Sequence, residues 1–197
     1  MTTVLAVQGD GWAVVGFDSL VSDDNGRTFV LGQGSSKVAK NGPYLLGAAG
    51  DVRAINILAH AFTPPKPGNI VGARLDRFIT SKFVPELRSC FEDHGYASRE
   101  LKERATHGSV VLAAINGVIY EIDEDYSWVR DASGIYAAGT GGDFAMGALY
   151  AMLGEQTASN VAIDKVKKMI KEAISIAIRL DASSGGTVHL MNQTSPV

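Results

Sequence analysis

Hydrophobic and polar positions follow two periods along this chain, and their order sets the expected architecture. Thr2 to Val7 alternates loosely and is rich in β-branched residues. Gln8-Gly9-Asp10-Gly11 has turn chemistry, and Trp12 to Phe17 reads as a second strand, so a hairpin is predicted. Ser22 to Gly26 reads as a turn, followed by short strands at Thr28–Leu31 and Ser36–Ala39. Asn41-Gly42-Pro43 is a further turn, and Tyr44–Ala49 a strand. From Asp51 the apolar residues Val52, Ile55, Leu58 and Phe62 share one helical face, and Pro64, Pro65 and Pro67 end that helix. A longer helix is predicted over Arg74–His94, kinked or broken at Pro85 and capped by Gly95. Ser109–Ile115 and Val118–Ile122 flank Asn116-Gly117, the strongest hairpin signal in the chain. Strands at Ser127–Asp131 and Ile135–Ala138 follow, then helices over Asp143–Leu153 and Asn160–Leu180, and a closing strand at Thr187–Met191.

Strands joined mainly by hairpins make antiparallel sheets, and the helices come in two pairs. The predicted fold is therefore α+β, a four-layer αββα sandwich of two antiparallel sheets with a helix pair on each outer face. The 197 residues, 46% hydrophobic and 20% charged, suit a single domain spanning 1–197. A net charge of −3 offers no basic surface for nucleic acid. The single cysteine, Cys90, excludes a disulfide framework and a thiolate metal cluster; its helical position makes it a core residue. No apolar run approaches the ~18 residues of a membrane span, and the N-terminus lacks the pattern of a secretory signal. A cytoplasmic protein with no membrane association is expected.

Chemistry concentrates in five short segments: Met-Thr-Thr at the start, Gly16-Phe17-Asp18-Ser19, Ser36-Lys37-Val38, Ala138-Gly139-Thr140-Gly141-Gly142 and Asp181-Ala182-Ser183-Ser184-Gly185-Gly186. Taken singly, each has an ordinary explanation. An Asp–Lys pair suits a surface, Asp181 could end a helix, Gly185-Gly186 could be only a turn, and Thr140 reads as a helix N-cap. Gly139-x-Gly141 fits a dinucleotide loop only superficially, because a parallel βαβ unit is missing. His60, His94, His107 and His189 show no ligand spacing.

Taken together and in order, the segments resemble the proteasome β-subunit family of N-terminal-threonine (Ntn) hydrolases, including HslV-like and ancestral β-subunit-like relatives. The resemblance runs from Thr2 to about Met191 and implies the Ntn-hydrolase fold. It makes Thr2 the nucleophile once Met1 is removed, an event expected of methionine aminopeptidase with no longer leader to cleave. Asp18 lies sixteen positions on, as in the family. Lys37 lies nineteen beyond Asp18, which implies a three-residue insertion within 23–34. The small-residue turn Ala49-Gly50 supplies the oxyanion N–H of Gly50, and Thr140, Asp181 and Ser184 surround the amine. Val21, Ser22, Ala39, Ala48 and Val52 are the implied substrate-binding residues, with Asp51 near the rim. Two departures stand out: Thr140 replaces a serine, and Leu20 stands where the family commonly has arginine.

The chemistry accounts for these residue types. A threonine hydroxyl needs an adjacent base, and a free α-amine, with a reference pKa of about 7.7–8.0, can serve. A nearby Lys37 ammonium disfavours the charged amine, and Asp18 is its natural counter-ion. The implied activity is a threonine endopeptidase acting on peptides or unfolded protein within a homo-oligomeric ring or stacked rings, fed by an ATP-dependent unfoldase. It needs no cofactor and no metal. Two rivals stay open: a silent assembly protein that keeps Met1, and an amidase acting on a small molecule.

Overall fold

The computed structural model describes residues 2–23, 25–97 and 107–195. Eleven strands and five α-helices follow one another along these residues. β1 (Val4–Gly9) and β2 (Trp12–Phe17) form the first hairpin, and β3 (Leu20–Ser22) pairs with β4 (Thr28–Val30) in a small separate ribbon. β5 (Val38–Asn41) and β6 (Tyr44–Gly50) lead to α1 (Val52–His60), α2 (Ala73–Phe78) and α3 (Val84–Asp93). Next come β7 (Ser109–Ile115), β8 (Val118–Ile122), β9 (Trp128–Val129) and β10 (Ile135–Ala138). The chain closes with α4 (Gly142–Leu153), α5 (Ile163–Leu180) and β11 (His189–Thr194).

Two antiparallel sheets result, one in the order β10-β1-β2-β11 and the other β5-β6-β7-β8-β9. Three apolar layers hold them. Val4, Ala6, Val15, Val38, Leu112 and Ile119 fill the space between the sheets. Leu58, Leu75, Phe83 and Phe91 cover the outer face of the five-stranded sheet, and Leu149, Ile170 and Ile174 cover that of the four-stranded one. The alternation of Val4 and Ala6 with Leu5 and Val7, all fully buried, sends successive β1 side chains to opposite layers, as a strand buried on both faces requires. The four-layer αββα arrangement read from the element order is the one observed.

Several local expectations are corrected. The turn read at Ser22–Gly26 includes the end of a strand, because β3 has only three residues, too few to set a period. The helix expected over Arg74–His94 is three pieces, with a π-helical segment, Ile79–Phe83, between α2 and α3. Pro85 explains it: its ring crowds the carbonyl four residues back, and the backbone widens so that Val84 N–H reaches the Ile79 carbonyl instead. Cys90 is only half-buried, packed at the edge of the helical layer rather than in the core. Asn116 and Gly117 both take positive φ (51° and 75°), the conformation that the hairpin signal demands.

Candidate active site

Strand register brings the start of the chain beside Asp18. β1 and β2 pair Val4 with Phe17, and the pairing continues one step further. Asp18 N–H donates to the Thr3 carbonyl at 3.2 Å, and Thr3 N–H donates to Asp18 Oδ1 at 2.9 Å. The spacing of Thr2 and Asp18 is thus a consequence of a hairpin that turns at Asp10-Gly11.

Lys37 comes from the other sheet. It precedes β5, and its carbonyl accepts the Ala48 N–H at 3.3 Å, prolonging the β5–β6 ladder. Its Nζ lies 2.6 Å from Asp18 Oδ1, with side chains 4% and 0% exposed. A buried carboxylate is tolerated only when its lone pairs are met. Oδ1 receives Lys37 and Thr3, while Oδ2 accepts Gly185 N–H at 2.8 Å and Leu20 N–H at 3.2 Å. Burial lowers the pKa of Lys37 below the ordinary value of 10.5, and Asp18, then Asp181, oppose that shift.

A second cluster forms where α5 ends. Asp181 N–H closes the helix on the Ala177 carbonyl at 2.8 Å. Its Oδ2 accepts the hydroxyls of Ser184 at 2.6 Å and Thr140 at 2.8 Å, and its Oδ1 accepts Ser183 N–H at 3.1 Å. Burial pushes the Asp181 pKa up, but the bonds from Ser184, Thr140 and Ser183 outweigh it and hold the carboxyl below 3.8. Thr140 is therefore not the N-cap expected of it. Gly141 occupies that place with no side-chain cap, because the Thr140 hydroxyl is committed to Asp181, 41 residues away.

The two clusters meet at Thr3, a residue the sequence reading passed over. Thr3 Oγ1 lies 2.6 Å from Ser184 Oγ. Ser184 gives its one proton to Asp181, so Thr3 donates to Ser184. Backbone and side chain of one fully buried residue thus join Asp18 to Asp181. The signal available in the sequence was the doubled threonine at the strand entrance. Gly141 packs so closely here that a Cβ would lie 1.8 Å from Thr3 Oγ1 and 2.6 Å from Ser184 Oγ.

Thr2, itself buried, lines a cavity of about 1060 Å³ together with Lys37 and Gly50. Val21, Ser22, Ala48 and Val52 line it as well, joined by Ile55, which the sequence reading omitted. Ala39 does not. It faces a separate hollow of about 220 Å³ beside Ser36 and His60. The pleat is the reason: Val38 points between the sheets, so Ala39 points into the helical layer. A further hollow of about 780 Å³, bordered by Pro43, Lys66 and Gln193, contains none of the expected site residues. Leu20, in place of the arginine, packs against Gly185. No group of three potential metal ligands occurs among the described residues. β10 runs antiparallel to β1, so the Gly139-x-Gly141 turn does not belong to a parallel βαβ unit there.

Comparison with protein-family models and with curated proteins finds no match. Solved structures do match over nearly the whole chain. Thiobacillus denitrificans BPH is 19% identical, with 98% of each chain covered and a TM-score of 0.71. The same protein in complex with epoxomicin gives 20% identity, 98% and 100% coverage and a TM-score of 0.70. Eukaryotic HslV from Trypanosoma brucei gives 22% identity, 98% and 99% coverage and a TM-score of 0.65. The chain has the HslV fold. The resemblance read from five short segments therefore holds at the level of the backbone. No helix among the described residues is long and apolar enough to cross a membrane.

Proposed function

We propose that this protein is a threonine peptidase whose nucleophile is the Thr2 hydroxyl and whose base is the Thr2 α-amine, freed by removal of Met1. The observation that supports it best is the buried Lys37–Asp18 pair at 2.6 Å, with Lys37 lining the same cavity as Thr2 and Gly50. The neutral amine takes the hydroxyl proton as Oγ attacks the scissile carbonyl carbon. The carbonyl electrons move to oxygen, and the Gly50 N–H stabilises that charge, a contact worth about 3 kcal/mol in comparable sites. The ammonium then returns the proton to the leaving amine, which departs and leaves an acyl-threonine ester. Water, deprotonated by the same amine, hydrolyses the ester. Lys37 keeps the resting amine neutral by charge repulsion, and the Thr140–Asp181–Ser184 cluster orients it.

The similar structure that holds epoxomicin supports the same reading, and epoxomicin is an expected ligand of this cavity. On the family resemblance of its sequence, the chain would assemble into a closed ring or stacked rings in the cytoplasm. Such a ring would shield the cavities from folded proteins, take peptides or unfolded chains and work with an ATP-driven unfoldase. α1 and the α2–α3 arm, on one outer face, would build the contact between rings; the Pro64–Gly68 loop after α1 limits its area.

The test is hydrolysis of fluorogenic peptides by the purified protein and by Thr2→Ala. Turnover in the wild type that vanishes in the variant supports the peptidase. No turnover, with Met1 retained, favours a silent assembly protein. Turnover on small amides alone favours an amidase.

A further inference from the structure

The amide proposed to hold the oxyanion belongs to a residue with little to hold it in place. Gly50 has φ of +132° and no side chain, and it ends β6 at the edge of the cavity. A glycine in this region is free to rotate unless its neighbours restrain it. The restraint comes from Ser109, its partner across the β6–β7 ladder. Ser109 is 2% exposed, and its Oγ accepts the N–H of Asp51, the amide on the far side of Gly50, at 3.1 Å. A Cβ on Gly50 would lie 2.5 Å from that oxygen and 2.4 Å from the Gly108 carbonyl, so the turn sits directly on Ser109. The hydroxyl is itself held by Tyr96 OH at 2.7 Å. Tyr96 lies just beyond α3, its ring edge-on to Phe91 with centroids 5.0 Å apart. Asp51 also begins α1, accepting the Arg53 N–H at 2.8 Å, and the Arg53 guanidinium reaches the His94 carbonyl. The end of α3 and the turn at Gly50 are thus tied together twice.

We propose that Ser109 is a positioning residue for the Gly50 N–H and that Tyr96 fixes the rotamer of Ser109. The inference rests on the peptidase reading above. Ser109 does not line the cavity. It sets the peptide plane after Gly50 and so confines Gly50 to the conformation in which its own N–H meets developing charge. Loss of this restraint weakens tetrahedral species and leaves ground-state binding unchanged.

The experiment compares wild type, Ser109→Ala and Tyr96→Phe, each with intact Thr2 and Lys37. Turnover of a peptide substrate is measured beside the affinity of a peptide aldehyde, whose hemiacetal carries the oxygen in the oxyanion position. The affinity of the matching unreactive peptide alcohol is measured as the ground-state reference. Ser109→Ala is expected to lower kcat and weaken the aldehyde together, by about 10-fold to 100-fold, with the alcohol changed less than about two-fold. Tyr96→Phe is expected to shift the same two quantities in the same direction by a smaller factor. If Ser109→Ala does not fold, Tyr96→Phe decides, since it removes one oxygen and keeps the ring. Unchanged kcat and aldehyde affinity in a folded variant would overturn the inference while the peptidase reading stands. Equal losses for aldehyde and alcohol would also overturn it, by showing a general loosening of the cavity. A wild type without peptidase activity would overturn both.

Discussion

Lys37 Nζ lies 2.6 Å from Asp18 Oδ1, and the two side chains come from different sheets of the sandwich. The pair is buried, so its members are not equivalent. Asp18 also accepts three backbone N–H groups, from Thr3, Leu20 and Gly185, whereas Asp18 is the only hydrogen-bond partner found for the Lys37 side chain among the described residues.

Removal of Asp18 therefore strands an ammonium and three amides. Asp18→Ala is expected to destabilise the fold by about 3–5 kcal/mol. Lys37→Met keeps the apolar stem and leaves the carboxylate with its three amides, so a smaller loss of about 1–2 kcal/mol is expected. Both variants are expected to lose most of the proposed turnover. Urea denaturation of the two variants checks the order; equal losses would contradict it.

The proposed base must be neutral and Lys37 must be charged. Activity is expected to rise with pH through about 7 to 8, as the Thr2 amine deprotonates. It then falls as Lys37 loses its proton. Because burial lowers that pKa, the alkaline limb lies below 10.5. A pH–kcat profile measures both limbs. A plateau that persists above pH 10.5 would contradict the role given to Lys37.

Gly141 offers a test of the link through Thr3. Its φ of −84° suits alanine, so Gly141→Ala brings no backbone strain. The added methyl instead meets Thr3 Oγ1, Ser184 Oγ and Asp181 Oδ2. A loss of about 1–3 kcal/mol in stability is expected, with at least about a 10-fold fall in kcat. Near wild-type turnover would show that the Thr3–Ser184–Asp181 chain is not needed.

Val21, Ala48, Val52 and Ile55 give the cavity an apolar wall, with Asp51 at its edge. Peptides with a bulky apolar residue before the scissile bond are expected to be the best substrates, with basic residues next. Ala48→Leu is expected to lower kcat/KM for the bulky substrates by about 10-fold and to spare those with alanine there. A fluorogenic peptide panel led by acidic residues would contradict this reading.

The legible parts of the site were those that strand register dictates. The distance from Thr2 to Asp18 follows from one hairpin, and both residues lie just beyond its paired ends. Lys37 was legible only as an offset, because the residues between Ser22 and Val38 include β4 and a loop whose path no periodicity reveals. Thr140 was read as a cap because local chemistry favours it; a carboxylate 41 positions away took its hydroxyl instead. Thr3 escaped notice because its role depends on contacts with Asp18 and Ser184, which only the folded chain brings together. Ala39 was assigned to the cavity although the pleat turns it toward the helices. The π-helical segment needed knowledge of how the backbone relieves the crowding at Pro85, not merely that crowding occurs.

The role proposed for Thr2, as both nucleophile and base, is tested by reaction with a peptide epoxyketone such as epoxomicin. The Thr2 oxygen adds to the ketone and the Thr2 nitrogen opens the epoxide, so a ring closes with no leaving group. Mass spectrometry of the treated native protein should show the protein lacking Met1 plus the full mass of the reagent, with fragmentation placing the adduct on Thr2. A protein that keeps Met1 and gains no mass, or an adduct mapped to another residue, would contradict this mechanism.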